Sequence, residues 1–194
     1  YDEDNKKKLT EEQRKCLSTI LYGSELKYLI KGVTGSGKTE IYMRIAEEML
    51  KEGKSVIVLV PEISLTPQMI ERFKGRFGRD VALFHSKLSQ GERFDEWYRV
   101  KEGKARLVIG ARSALFLPLQ NLGAIIIDEE HENTYKSEHN PKYHAREVGE
   151  FLSEMKNCKL ILGSATPSIE SYYRAINGDY KLVEMNNRVN GKNM

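Results

Sequence analysis

Eight consecutive residues, Gly32-Val33-Thr34-Gly35-Ser36-Gly37-Lys38-Thr39, carry the spacing G-x-x-x-x-G-K-[ST] of a phosphate-cradling loop. Gly32, Gly35 and Gly37 let the backbone bend so that successive N–H groups, those of Thr34 and Ser36 included, point inward at an anion. The N-terminus of a following helix adds partial positive charge. Lys38 can reach the β- and γ-phosphates of a nucleotide, and the Thr39 hydroxyl can sit on Mg²⁺.

A second constellation completes such a site. The run Ala124-Ile125-Ile126-Ile127-Asp128-Glu129-Glu130-His131 is an apolar strand ending in acids. In α/β sheets ligands bind at the carboxyl ends of strands, the end from which a phosphate loop also leaves. Asp128 would hold Mg²⁺ opposite Thr39, and Glu129 would polarise an attacking water as general base. Gly163-Ser164-Ala165-Thr166-Pro167 follows another apolar strand, and the Ser164 and Thr166 hydroxyls can report nucleotide state to the acids. A helix-capping S-x-T-P turn is the plainer reading of the same residues.

The elements that must position these groups alternate along the chain. A capping box at Thr10-Glu11-Glu12-Gln13 opens a lead helix, and a strand at Leu26–Ile30 enters the phosphate loop. Helices are expected over Lys38–Lys51, Pro67–Phe77, Gln90–Glu102, Arg146–Lys156 and Ser168–Ile176. Strands are expected at Val56–Val60, Val81–Phe84, Arg106–Ile109, Ala124–Asp128, Leu160–Gly163 and Tyr180–Val183. Phe94, Trp97 and Tyr98 fall on the expected buried side of their helix. This alternation implies an α/β domain, a predominantly parallel sheet with helices on both faces.

The loop, D-E-E-H and G-S-A-T, in this order on one α/β domain, resemble the superfamily 2 helicases of D-E-x-H type. Three further strings resemble the bacterial primosomal replication-restart helicases within them: Leu59 to Gln68, Phe84 to Ser89, and Gly110 to Pro118, where Ala111 stands in place of the commoner Thr. Tyr135-Lys136 through Pro141 to Arg146 extends the likeness over almost the whole chain. The resemblance implies a P-loop NTPase RecA-like first lobe over residues 1–185, with 186–194 as a linker toward a second lobe. It implies ATP and Mg²⁺ as cofactors, with the family's zinc-binding cysteines lying outside this chain. It further implies that Gln13 contacts the adenine edge, that His131 relays the state of the γ-phosphate, and that Arg112 contacts a DNA phosphate. The aromatic and basic residues Tyr135, Lys136, Lys142, Tyr143 and Arg146 would meet single-stranded DNA by stacking and charge. Single-stranded and forked DNA, other primosome proteins and single-strand-binding proteins follow as partners, in a 3′-to-5′ helicase of the bacterial cytoplasm.

Bulk properties neither add to nor oppose this. With 31 basic and 28 acidic residues among 194, the net charge of +3 does not by itself announce a nucleic-acid binder. Cys16 and Cys158 lack metal spacing, as do the four histidines, so a structural metal is not expected. No apolar run is long enough for a membrane span. Tyr1 rather than Met opens the sequence, which reads as a piece of a longer protein. Two other readings stay open: a P-loop phosphotransferase of another kind, and a non-catalytic module that binds DNA or a partner.

Overall fold

In the computed structural model, which describes residues 8–33, 37–129 and 144–189, seven strands form one sheet. They are β1 Lys27–Gly32, β2 Ser55–Leu59, β3 Val81–Phe84, β4 Leu107–Gly110, β5 Leu122–Asp128, β6 Lys159–Ser164 and β7 Lys181–Met185. Their spatial order is β3-β4-β2-β5-β6-β1-β7, and each neighbouring pair is parallel. Central strands of such a sheet are covered on both faces, which explains why β2 is buried throughout and β5 at all but its last residue. The helices are α1 Glu11–Tyr22, α2 Lys38–Lys51, α3 Pro67–Phe77, α4 Gln90–Lys101, α5 Ala145–Lys156 and α6 Ile169–Ile176.

Local chemistry sets the helix ends. Thr10 and Gln13 close the expected capping box of α1. At the other end of α1, the Lys159 ammonium donates to the Ile20 and Gly23 carbonyls at 2.6 and 3.0 Å, placing a cation where the helix leaves orphan acceptors. Thr66 caps α3, with Pro67 in its first turn. The start of α6 differs from the capping alternative: Ser168, not Thr166, accepts from the Ser171 N–H.

Helix α2 is buried more nearly all round than its apolar stripe predicts, because α1 and α3 flank it above the sheet. This burial includes Glu40, which is 4% exposed. Arg76 donates to it at 2.8 Å, Arg44 at 3.0 Å and Arg72 at 3.2 Å, tying α2 to α3. Burial alone would push the Glu40 carboxyl up, but the hydrogen bonds from Arg76 and Arg44 outweigh it and hold the carboxyl below its usual range.

Helix α4 corrects an expectation. Phe94 and Tyr98 are 60% and 43% exposed, and only Trp97 of the three packs against the core. The cause is the sheet edge. α4 lies along β3, an edge strand, and faces it with polar groups: Glu96 accepts from the Leu83 N–H at 2.7 Å, and Arg99 donates to the Val81 carbonyl at 3.3 Å. An edge strand needs such partners, so the helix turns Glu96 and Arg99 inward and Phe94 outward.

Arg146 is also placed differently from the DNA contact expected of it. It lies in α5, 5% exposed, and donates to Glu170 of α6 at 2.7 Å. Glu150 lies 3.7 Å from it and also accepts from Arg174 at 2.7 Å and from the Tyr180 hydroxyl. Arg146 therefore joins α5 to α6 and has no face to offer a nucleic acid. Both cysteines are buried, and burial first of all pushes the Cys16 thiol up to about 12 and Cys158 to about 11, so neither is a nucleophile.

Two measurements check these placements. Glu40→Gln should cost about 3 kcal/mol at neutral pH, because it strands the buried Arg76. A carboxyl held low when folded stabilises above its unfolded value near 4.5 and loses that contribution as pH falls through the folded value, so the variant's stability should fall less steeply with acid than the wild type's. Arg146→Met in the full-length protein should cost about 2 kcal/mol and leave single-stranded DNA affinity unchanged at fixed salt. Weakened DNA binding at unaltered stability would restore Arg146 to the DNA path.

Candidate nucleotide site and adjoining cleft

All carboxyl ends of a parallel sheet lie on one edge. Here the strand leading into the phosphate loop, β1, and the acid-tipped strand β5 are separated only by β6. The register is explicit: Gly163 of β6 sits opposite Ile30 of β1 on one side and Asp128 of β5 on the other. Two strand spacings put the β1 and β5 backbones about 10 Å apart, a span that a phosphate group and a hydrated cation can fill.

The turn out of β1 is set by its last glycine. Gly37 is left-handed at φ 84°, and a Cβ there would lie 2.1 Å from Gln13 Nε2. Lys38 opens α2 and folds its ammonium back to the Gly32 carbonyl at 2.8 Å, across the mouth of the loop. Thr39 follows it in the first helical turn. Thr34, Gly35 and Ser36 lie outside the described residues.

Asp128 closes β5, and its Oδ1 accepts from the Tyr42 hydroxyl at 2.7 Å. Tyr42 stands one turn beyond Thr39, so α2 carries the lysine, the threonine and a contact to the acid on adjoining positions. Glu129 leaves the sheet at φ 49°, a left-handed conformation that costs a residue with a Cβ about 1 kcal/mol or more. Such outliers persist where the surroundings over-determine them. Ser164 is fully buried at the end of β6, and its hydroxyl accepts from the Thr166 N–H at 3.0 Å, while Thr166 itself is exposed.

Gln13, the residue expected to contact the adenine edge, sits beside the phosphate turn. It is 3% exposed, its Oε1 accepts from the Thr10 N–H at 2.9 Å, and its Nε2 donates to the Gly37 carbonyl at 3.3 Å. Its amide ties the lead helix to the phosphate turn. His131, Tyr135, Lys136, Lys142 and Tyr143 lie outside the described residues.

A hydroxyl from Thr39 and a carboxylate from Asp128 are hard oxygen donors, and they fit Mg²⁺, which is held through few protein groups plus substrate phosphates. Among the described residues no cluster of three or more His, Cys, Asp or Glu could hold a metal by itself.

Along the same edge, a cleft of about 470 Å³ opens at the ends of β2, β3 and β4. Arg112 lines it, with Glu62, His85, Ser86, Arg93 and Ser113. The Ser86 N–H and hydroxyl donate to Glu62 at 3.0 and 2.5 Å, and the hydroxyl above all holds that carboxyl below its usual range. Arg93 donates to the Ser86 carbonyl at 3.1 Å. The three strings that carry the resemblance, Leu59 to Gln68, Phe84 to Ser89 and Gly110 to Pro118, all contribute to this cleft; Arg93 lies outside them, and only the packing of α4 reveals its position.

Among known proteins, the DEAD/DEAH box helicase family profile matches residues 10–175. Replication restart protein PriA of Bacillus subtilis (strain 168) is 56% identical over 190 residues, covering 96% of this chain and 24% of the relative. That of Haemophilus influenzae is 46% identical over 186 residues, covering 95% and 26%. The chain thus spans about a quarter of the length of these curated relatives. Among solved structures, RecG bound to a three-way DNA junction superposes with a TM-score of 0.69 at 21% identity, over 96% of this chain and 25% of that one. The UvsW helicase from bacteriophage T4 gives 0.66 at 15% identity, over 96% and 63%. At these identities the structures establish the fold alone, a RecA-like α/β sheet. The family profile covers most of the sequence and both halves of the nucleotide site, and the chain belongs to the DEAD/DEAH box helicase family.

Proposed function

We propose that this chain is the ATP-binding lobe of an ATP-dependent DNA helicase or translocase that moves 3′ to 5′ and acts in replication restart at stalled forks. The observation that carries the reading is the row Ile30, Gly163, Asp128 across three parallel strands, which sets the phosphate turn and the acid on one edge. The high identity to replication restart proteins supports the biological setting.

In this reading Lys38 exchanges the Gly32 carbonyl for the β- and γ-phosphates, and the loop N–H groups hold their oxygens. Thr39 and Asp128 would hold Mg²⁺, which would supply charge neutralisation on the phosphates. Glu129, held off the sheet by its left-handed backbone, orients water for attack. Ser164 and Thr166, and His131 beyond the described residues, pass nucleotide state toward the DNA side. A base above the turn would meet Gln13 by displacing its Gly37 contact.

DNA would run past Arg112 and the adjoining cleft, meeting Tyr135, Lys136, Lys142 and Tyr143 on the way. Single-stranded and forked DNA, primosome proteins and single-strand-binding proteins are the proposed partners, in the bacterial cytoplasm. Among the described residues no helix is long and apolar enough to cross a membrane.

Two outcomes are expected. Lys38→Ala in the full-length protein should lower ATP turnover about 100-fold or more and abolish unwinding, since it removes a preorganised charge at the phosphates. Unwinding that survives this change would refute the motor reading. The 194-residue chain by itself should hydrolyse ATP about 10³-fold more slowly than the full motor, because a transition-state arginine from a second lobe is worth that much. Robust DNA-stimulated hydrolysis by the isolated chain would contradict it.

A further inference from the structure

Tyr42 belongs to neither the phosphate loop nor the acid motif, yet its hydroxyl donates to the acid's side chain. Tyr42 is fully buried in α2 and gives its hydrogen bond to Asp128 Oδ1 at 2.7 Å. To reach β5 from α2 it crosses β6, and it crosses at Gly163. A Cβ at Gly163 would lie 1.7 Å from the Tyr42 hydroxyl and 2.9 Å from the ring carbon bearing it, while Asp128 Oδ1 lies 3.5 Å away. Gly163 is not left-handed, so backbone freedom does not call for glycine there. Space does: the missing side chain is the channel through which the tyrosine meets the aspartate.

We propose that Tyr42 is a positioning residue for the metal-holding carboxylate, and that Gly163, the glycine of G-S-A-T, exists to admit it. The inference rests on the assignment of Asp128 to Mg²⁺ and adds a residue to that site. A donor on Oδ1 restrains the carboxylate rotamer at the tip of β5. Because Tyr42 shares α2 with Lys38 and Thr39, the same bond locks the acid to the helix that carries the other two groups. Supporting hydrogen bonds of this kind typically change metal affinity by 10- to 100-fold when lost.

The test uses the full-length protein with saturating ADP and follows Mn²⁺ binding by the electron paramagnetic resonance signal of the free ion. Tyr42→Phe keeps the ring and removes only the hydroxyl; it should weaken Mn²⁺ binding about 10-fold while ADP affinity in EDTA stays within twofold of wild type. Gly163→Ala retains Tyr42 but displaces its hydroxyl, and should weaken Mn²⁺ binding to a similar degree. The double variant should be no weaker than the worse single one, since both break one contact. A merely structural tyrosine would lower stability without moving Mn²⁺ affinity. If Asp128→Asn weakens Mn²⁺ binding but Tyr42→Phe does not, the positioning role falls and the metal assignment stands. If Asp128→Asn also leaves Mn²⁺ binding unchanged, both fall together.

Discussion

Parallel pairing of β1, β6 and β5 places Ile30, Gly163 and Asp128 side by side, and that register governs everything at the site. The sheet fixes the spacing, the carboxyl-end rule fixes which edge is used, and the side-chain period of two fixes which face each residue takes. A shift of β5 by one residue would turn Asp128 to the opposite face and leave the Lys38 turn without its acid. The buried apolar stretch ahead of Asp128 resists such a slip, because its residues pack on both faces.

Two charge clusters inside this domain clamp helices together. Glu40 gathers Arg44, Arg72 and Arg76 between α2 and α3, and Glu150 gathers Arg146, Arg174 and Tyr180 between α5 and the region ahead of β7. Buried pairs of this kind return little net stability, but losing one partner is costly. The Glu40 cluster holds α2 to α3, and α2 carries Lys38, Thr39 and Tyr42. Glu40 directly follows Thr39, so the cluster braces α2 at the same turn that carries the site residues.

Much of this was legible in the sequence because each element announces itself locally. Thr66-Pro67 opens α3, the apolar run into Asp128 is a strand, and Thr10 with Gln13 caps α1. The carboxyl-end rule puts the Lys38 turn and Asp128 on one edge, and in the sheet only β6 separates β1 from β5. Long-range partners were not legible. Arg146 looked like one more cation in a basic, aromatic stretch, and only the approach of Glu170 from α6 shows it buried. Phe94 kept helical spacing with Trp97, but the needs of an edge strand turned it outward. Tyr42 reads as an ordinary apolar-face residue until Gly163 is found beneath it.

The central claim is that Lys38 and Asp128 serve one nucleotide and one cation. Equilibrium affinity of the full-length protein for ADP, measured with Mg²⁺ and in EDTA, tests this directly. Asp128→Asn should abolish the gain that Mg²⁺ confers and leave the EDTA affinity intact, whereas Lys38→Ala should weaken both. A Mg²⁺ gain undiminished by Asp128→Asn would mean that the acid and the lysine-bearing turn do not share a ligand.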